Sequence, residues 1–113
     1  NKEFEKKEYI AAYDILNSGI KDFPSNSQLY YYRGLVADAM NRNAAQIMDL
    51  NKAVELDPSN RMAFYQLGKA YEKINDERNA LVAYERFLST EPDEKELVDE
   101  IQKKVIKLGE KYY

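Results

Sequence analysis

The 113-residue chain has no Cys, no His and no Trp, and only 4 Gly and 3 Pro. Without Cys there is no disulfide, so the composition suits a reducing compartment, although exported helical proteins also lack Cys. Without His or Cys the usual general bases and thiol nucleophiles are missing, and no Gly-rich loop is present to cradle a phosphate. Catalysis is therefore not expected, and carboxylates are the only candidates for it. The scarcity of Gly and Pro leaves too little turn material for a many-stranded sheet. No apolar run approaches the roughly 18 residues of a membrane-spanning helix, and no membrane insertion is expected. The 17 Lys+Arg against 20 Asp+Glu leave a net charge of -3, with Lys and Glu interleaved. No basic stripe is present for a phosphate backbone, which argues against nucleic acid. The chain begins at Asn1, which suggests a processed product or an excised fragment; any targeting segment would then lie upstream, and the compartment stays open between cytoplasm and export.

The three prolines supply a ruler: Pro24, Pro58 and Pro92 are spaced by 34 and again by 34. The same offset pairs Gly34 with Gly68, Tyr31 with Tyr65, Asn26 with Asn60, Leu50 with Tyr84 and Val54 with Leu88. A partial earlier copy is marked by Leu16, Asn17 and Ile20. Within each period apolar residues recur every three or four positions, the spacing of two helices. Asn41-Arg42-Asn43 and Asn75-Asp76 break the helices of a period. Asn26 and Asn60 are placed to cap the next first helix, with Ser25 and Asp93 as rival caps. The pattern predicts helices near residues 8–22, 27–41, 44–56, 61–74, 77–90 and 94–111.

These residues resemble the tetratricopeptide repeat signature W-x2-L-G-x2-Y, A-x3-F, P. Phe64, Leu67, Gly68, Tyr71, Ala80, Tyr84 and Pro92 match in the later period. The earlier keeps Tyr30, Gly34, Leu50, Ala53 and Pro58 but departs at Arg33, Ala37 and Gln46, where the family usually has Leu, Tyr and Ala. Ala12, Leu16, Gly19 and Pro24 belong to a truncated copy. The resemblance implies an all-α, right-handed α-solenoid of antiparallel helix pairs, a single domain 1–113. It divides into a truncated repeat (1–26), two repeats (27–60 and 61–93) and a C-terminal capping helix (94–113). The glycines are expected to admit a small facing residue such as Ala80, and Tyr30, Tyr71 and Tyr84 to be core. Leu97, Val98, Ile101, Val105 and Leu108 form the apolar stripe of the cap, with Lys103, Lys104, Lys107 and Lys111 largely off it and the array ending with the chain.

The family's general use is to hold a peptide or helix of a partner protein in the concave groove lined by first helices. That implies a groove of Gln28, Tyr31, Tyr32, Leu35 and Asp38, then Met62, Tyr65, Gln66, Lys69, Glu72 and Lys73. Solvated helix faces are the plainer alternative for the same residues. A branch of the family grips a chaperone's C-terminal carboxylate with Lys and Asn. Those places hold Tyr31 and Leu35, or Tyr65 and Lys69, so the clamp is not reproduced, though Lys69 could pair a ligand's acid. The acids Glu91, Asp93, Glu94 and Glu96 lie where a helix dipole favours negative charge, and no metal or other cofactor is expected. At the truncated end Tyr9, Tyr13 and Leu16 leave apolar surface uncovered. This favours an upstream repeat or a homo-oligomer through that end, unless Phe4 and its neighbours fold back as a minimal cap. Three readings follow, in order: a peptide-binding scaffold, a self-assembly module, and an enzyme.

Overall fold

A computed structural model describes residues 2–113; Asn1, the first residue of the truncated repeat, lies outside the described residues. Six helices follow in order: α1 (Lys2–Asp22), α2 (Ser27–Ala39), α3 (Asn43–Leu56), α4 (Arg61–Lys73), α5 (Glu77–Ser89) and α6 (Lys95–Tyr112). Among the described residues there is no strand. The helices form antiparallel pairs of the kind the repeat demands, and the chain divides into two compact units, Asn1–Pro58 and Ser59–Tyr113.

Local chemistry sets the helix boundaries, and the 34-residue offset repeats it. The Asn26 side chain accepts from the backbone N–H of Gln28 at 3.0 Å and of Leu29 at 3.4 Å, and Asn60 accepts from that of Ala63 at 3.1 Å. Such a cap is worth about 1 kcal/mol, because it satisfies amides that have no partner inside the helix. Asn26 therefore takes the place for which Ser25 was a rival. Glu94 precedes α6 with no side-chain cap, so Asp93 does not fill that role. At the other ends, Asn41 and Asn75 have φ of 58° and 61°. Each closes the same C-terminal motif. Asn41 N–H bonds to Asp38 O at 2.9 Å and Arg42 N–H to Ala37 O at 2.8 Å; Asn75 N–H bonds to Glu72 O at 3.0 Å and Asp76 N–H to Tyr71 O at 2.9 Å. Asn tolerates the left-handed conformation because its short side chain can bond locally. Asn43 lies outside the break and is the first residue of α3.

In the first unit α2 packs on both α1 and α3. Its buried residues include Ala37, Leu50 and Ala53, together with Gln46 and Asp49, two polar side chains. Helix α1 begins at Lys2, six residues before its expected start, since Glu3 and Glu5 in its first turn favour continuation. Phe4 is thus part of the helix and 61% exposed; the segment before Glu8 does not fold back as a cap.

In the second unit α5 packs between α4 and α6 around Phe64, Leu67, Leu81, Tyr84, Phe87 and Ile101. Ile101 and Leu108 are the buried members of the α6 stripe, while Leu97, Val98 and Val105 are half-buried. Tyr84 is core as expected, but Tyr30 and Tyr71 are only half-buried. Tyr30 keeps its hydroxyl at the surface, donating to Pro24 O at 3.0 Å.

The glycines also make room for a large residue of the facing helix. A Cβ on Gly68 would lie 2.2 Å from Cε1 of Tyr84, and one on Gly34 would lie 3.1 Å from Leu50 Cδ2 and Cγ. The three atoms nearest such a Cβ on Gly68 all belong to the Tyr84 ring. In each repeat the missing Cβ is the space into which the large residue sixteen positions later is packed, which is why Gly34 and Leu50 recur as Gly68 and Tyr84.

Candidate functional site

In the first unit, α2 turns Gln28, Tyr31, Tyr32, Leu35 and Asp38 away from the buried Gly34 and Ala37. Gln28 and Tyr32 are exposed and the other three half-buried. Tyr31 and Tyr32 meet edge to face at 5.5 Å, and burial, followed by the neighbouring Tyr32, raises the Tyr31 pKa above that of an ordinary phenol. A neutral ring pair with polar tips suits a half-wet contact.

In the second unit, α4 carries the equivalent set: Met62, Tyr65, Gln66 and Glu72 half-buried, Lys69 and Lys73 exposed. The Tyr65 ring leans on the buried Phe87 at 6.0 Å, and the Lys69 ammonium sits 5.1 Å above the Tyr65 ring. Tyr65 is thereby held from below and capped by a cation, a rigid platform.

Glu72 is engaged within its own unit. The Tyr84 hydroxyl, reaching past Gly68, donates to Glu72 Oε1, and Lys104 Nζ on α6 lies 2.8 Å from the same oxygen. Burial alone would raise the Glu72 pKa, but the hydrogen bonds from Lys104 and Tyr84 outweigh it and hold the carboxyl below its ordinary range. Burial, then the bond to Glu72, pushes the Tyr84 phenol far up, so the tie is a neutral phenol and an ammonium on one carboxylate. Lys104 is accordingly half-buried, against the expectation that it lies off the packed side. No signal local to α4 announces the tie, since its members are 12 and 32 residues away from Glu72.

The first unit holds a polar constellation in place of apolar core. Arg33 grips Asp49 with two bonds, Nε to Oδ2 at 2.9 Å and Nη2 to Oδ1 at 2.6 Å, and donates from Nη1 to Asn17 Oδ1 at 2.9 Å. Its guanidinium lies 5.8 Å from the Tyr13 ring and 5.6 Å from that of Tyr30. Hydrogen bonding to Asp49 raises its pKa further. Tyr13 also receives Arg42 at 5.6 Å, so this residue of the expected self-association surface lies between two guanidiniums of its own unit. Tyr9 and Leu16 are half-buried, and the exposed large apolar residues of α1 are Phe4, Ile10 and Ile15, the last 72% exposed.

Among the described residues no three His, Cys, Asp or Glu side chains converge as a metal site requires, and no helix is long and apolar enough to cross a membrane.

Comparison with known proteins adds family context. A family model described as tetratricopeptide repeat matches residues 27–60 and 63–94. The DnaJ homolog subfamily C member 7 homolog of Dictyostelium discoideum is 32% identical over 101 residues, covering 86% of this chain and 19% of that protein. The chain thus spans about a fifth of that relative's length. Among solved structures, the first TPR of Spaghetti (RPAP3) bound to the HSP90 peptide SRMEEVD is 29% identical, with a TM-score of 0.79 over 96% of this chain and 86% of that one. The Yersinia enterocolitica type III secretion chaperone SycD, in complex with a peptide of the translocator YopD, shares the fold at 11% identity, with a TM-score of 0.82 over 99% of this chain and 88% of that one. These matches indicate a scaffold domain and no enzymatic family.

Proposed function

Since the chain belongs to the tetratricopeptide repeat family, we propose that it is a non-catalytic protein-interaction module in which each unit offers a partner's peptide or helix the exposed face of its first helix, α2 in the first unit and α4 in the second. The observation that carries this reading is the pair Tyr31 and Tyr65. They recur at the 34-residue offset, each half-buried and each supported by a second aromatic ring, Tyr32 and Phe87 respectively. Half-buried aromatics with fixed rings are the usual anchors of a protein contact, because little side-chain entropy is left to lose on binding. The likeness to a domain bound to an HSP90 peptide supports a peptide ligand. The positions of the carboxylate clamp, filled here by Tyr31, Leu35, Tyr65 and Lys69, speak for a ligand chosen by its side chains and not by its terminus. Ligands selected from a displayed peptide library should lose about 1–2 kcal/mol, close to tenfold in Kd, when Tyr31→Ala and Tyr65→Ala are combined. Unchanged affinity in the folded double variant would place the site elsewhere.

A second reading, self-association through α1, is favoured by Phe4, Ile10 and Ile15, which expose apolar surface on one helix. Sedimentation across a hundredfold concentration range tests it, and Ile15→Glu should abolish any dimer. A strict monomer at every concentration ends it.

A further inference from the structure

Resting on the reading of the chain as a protein-binding module, we propose that the C-terminal halves of α4 and α6 form a recognition surface for an acidic segment of a partner that also carries an apolar side chain. The same offset that aligns the tyrosines aligns two pairs of lysines: Lys69 with Lys103 and Lys73 with Lys107. All four are exposed. The pairing is confined to the second unit, because the corresponding places on α2 are Leu35 and Ala39.

The two helices meet where the lysines lie, since Lys104 of α6 touches Glu72 of α4 at 2.8 Å. That contact also decides the sign of the surface. Glu72 is the carboxylate of the α4 half, and its charge is already matched by Lys104 and by the Tyr84 hydroxyl. The register partner of Glu72 on α6 is Ile106, 63% exposed between Lys103 and Lys107. An apolar residue in that position, flanked by ammonium groups, fits a ligand that presents a Leu or Val between Asp or Glu. Of the acids of α6, Glu96, Asp99 and Glu100 lie toward its N-terminal end and Glu110 alone stands among Lys103, Lys104, Lys107 and Lys111, so the C-terminal half keeps an excess of positive charge and the acidic segment belongs there. In a chain of net charge -3, four in-register lysines set a local field opposite to that of the molecule as a whole.

The experiment uses the full chain and three labelled, amidated decapeptides that alternate Leu with Glu, Gln or Lys. Amidation removes the terminal carboxylate, so only side-chain charge is read. Fluorescence anisotropy should show the Glu peptide binding about threefold to tenfold more tightly than the Gln peptide, and the Lys peptide binding most weakly. The advantage should shrink as salt rises, because exposed charges are screened beyond about 8–10 Å. Lys69→Glu combined with Lys103→Glu should erase the Glu-over-Gln preference, with the folded state checked by circular dichroism. Ile106→Ser should weaken both peptides alike. Equal affinity for the Glu and Gln peptides, no binding of the Glu peptide, or a preference that survives the double reversal overturns the proposal. If the Gln peptide binds as well as the Glu peptide and Tyr65→Ala weakens both, the broader peptide-binding reading stands while the acidic preference falls.

Discussion

Exchanging Arg33 and Asp49 together for the residues that the second unit uses in their places should cost far less than exchanging either alone. The 34-residue offset puts Arg33 where α4 has Leu67 and Asp49 where α5 has Ala83, both buried apolar residues. One chain has thus packed equivalent positions in two ways, once with an ion pair and once without. Asp49 is 4% exposed, and the Arg33 side chain 21%. Asp49→Ala strips the guanidinium of two of its three hydrogen bonds, but its partial exposure lets water replace some of them. A loss of about 2–3 kcal/mol is expected, below the 3–5 kcal/mol typical of a fully buried pair. Arg33→Leu leaves a more deeply buried carboxylate with no counter-charge and should cost about 3–4 kcal/mol. The double variant removes both desolvation penalties and loses chiefly the Arg33 contacts to Asn17 and the rings of Tyr13 and Tyr30, so it should lie within about 1 kcal/mol of the parent. Urea titration followed at 222 nm, with m held common to all variants, measures each value. A double variant destabilised by the sum of the two singles would refute the argument, because zero coupling would mean that neither loss comes from stranding the other partner's charge.

Three further outcomes follow from particular contacts. Gly68→Ala should destabilise by about 1–3 kcal/mol, since its Cβ would lie 2.2 Å from the fully buried Tyr84 ring, whereas the Cβ of Gly34→Ala would lie 3.1 Å from Leu50, which need give only slightly, and should cost under about 1 kcal/mol; equal thermal shifts would contradict this. Glu91 has a φ of 55° at an exposed position, so Glu91→Gly should stabilise by about 0.4–1 kcal/mol in a denaturant melt, and a loss of stability would show that the side chain outweighs its backbone strain. The depressed pKa of Glu72 means that its stabilising contribution is complete above the unfolded carboxyl value, about 4.3, and is lost as pH falls through the lower folded value. Glu72→Gln should therefore flatten the acid limb of a Tm–pH curve, and parallel limbs for the two proteins would remove Glu72 from that role.

The repeat was open to reading because its signals are local. An Asn before a helix caps it wherever that helix lies, so Asn26 and Asn60 could be offered as caps from the chain alone, with Ser25 a rival until the hydrogen bonds of Asn26 decided, and the breaks at Asn41 and Asn75 could be read directly. Boundaries failed where no local stop exists: nothing between Lys2 and Glu8 opposes a helix, and α1 simply continues through Phe4. The face of α4 was legible from helical spacing, but the role of Glu72 was not, because its partners come from α5 and α6.

Arg33 marks the boundary between the two kinds of knowledge. The sequence by itself determined that a charged residue, Arg33, stood where the repeat usually has Leu. It also determined the helix order and the register, since these follow from spacings within a few residues of one another, and it narrowed the caps to neighbouring candidates. Only the tertiary structure decided which side chains close on each other: Asp49 and Asn17 on Arg33, the Tyr84 ring in the space left by Gly68, and Lys104 on Glu72. Those contacts depend on rotamers and helix crossings that short-range spacing does not encode, and they separate a carboxylate that faces a ligand from one already neutralised within its own unit.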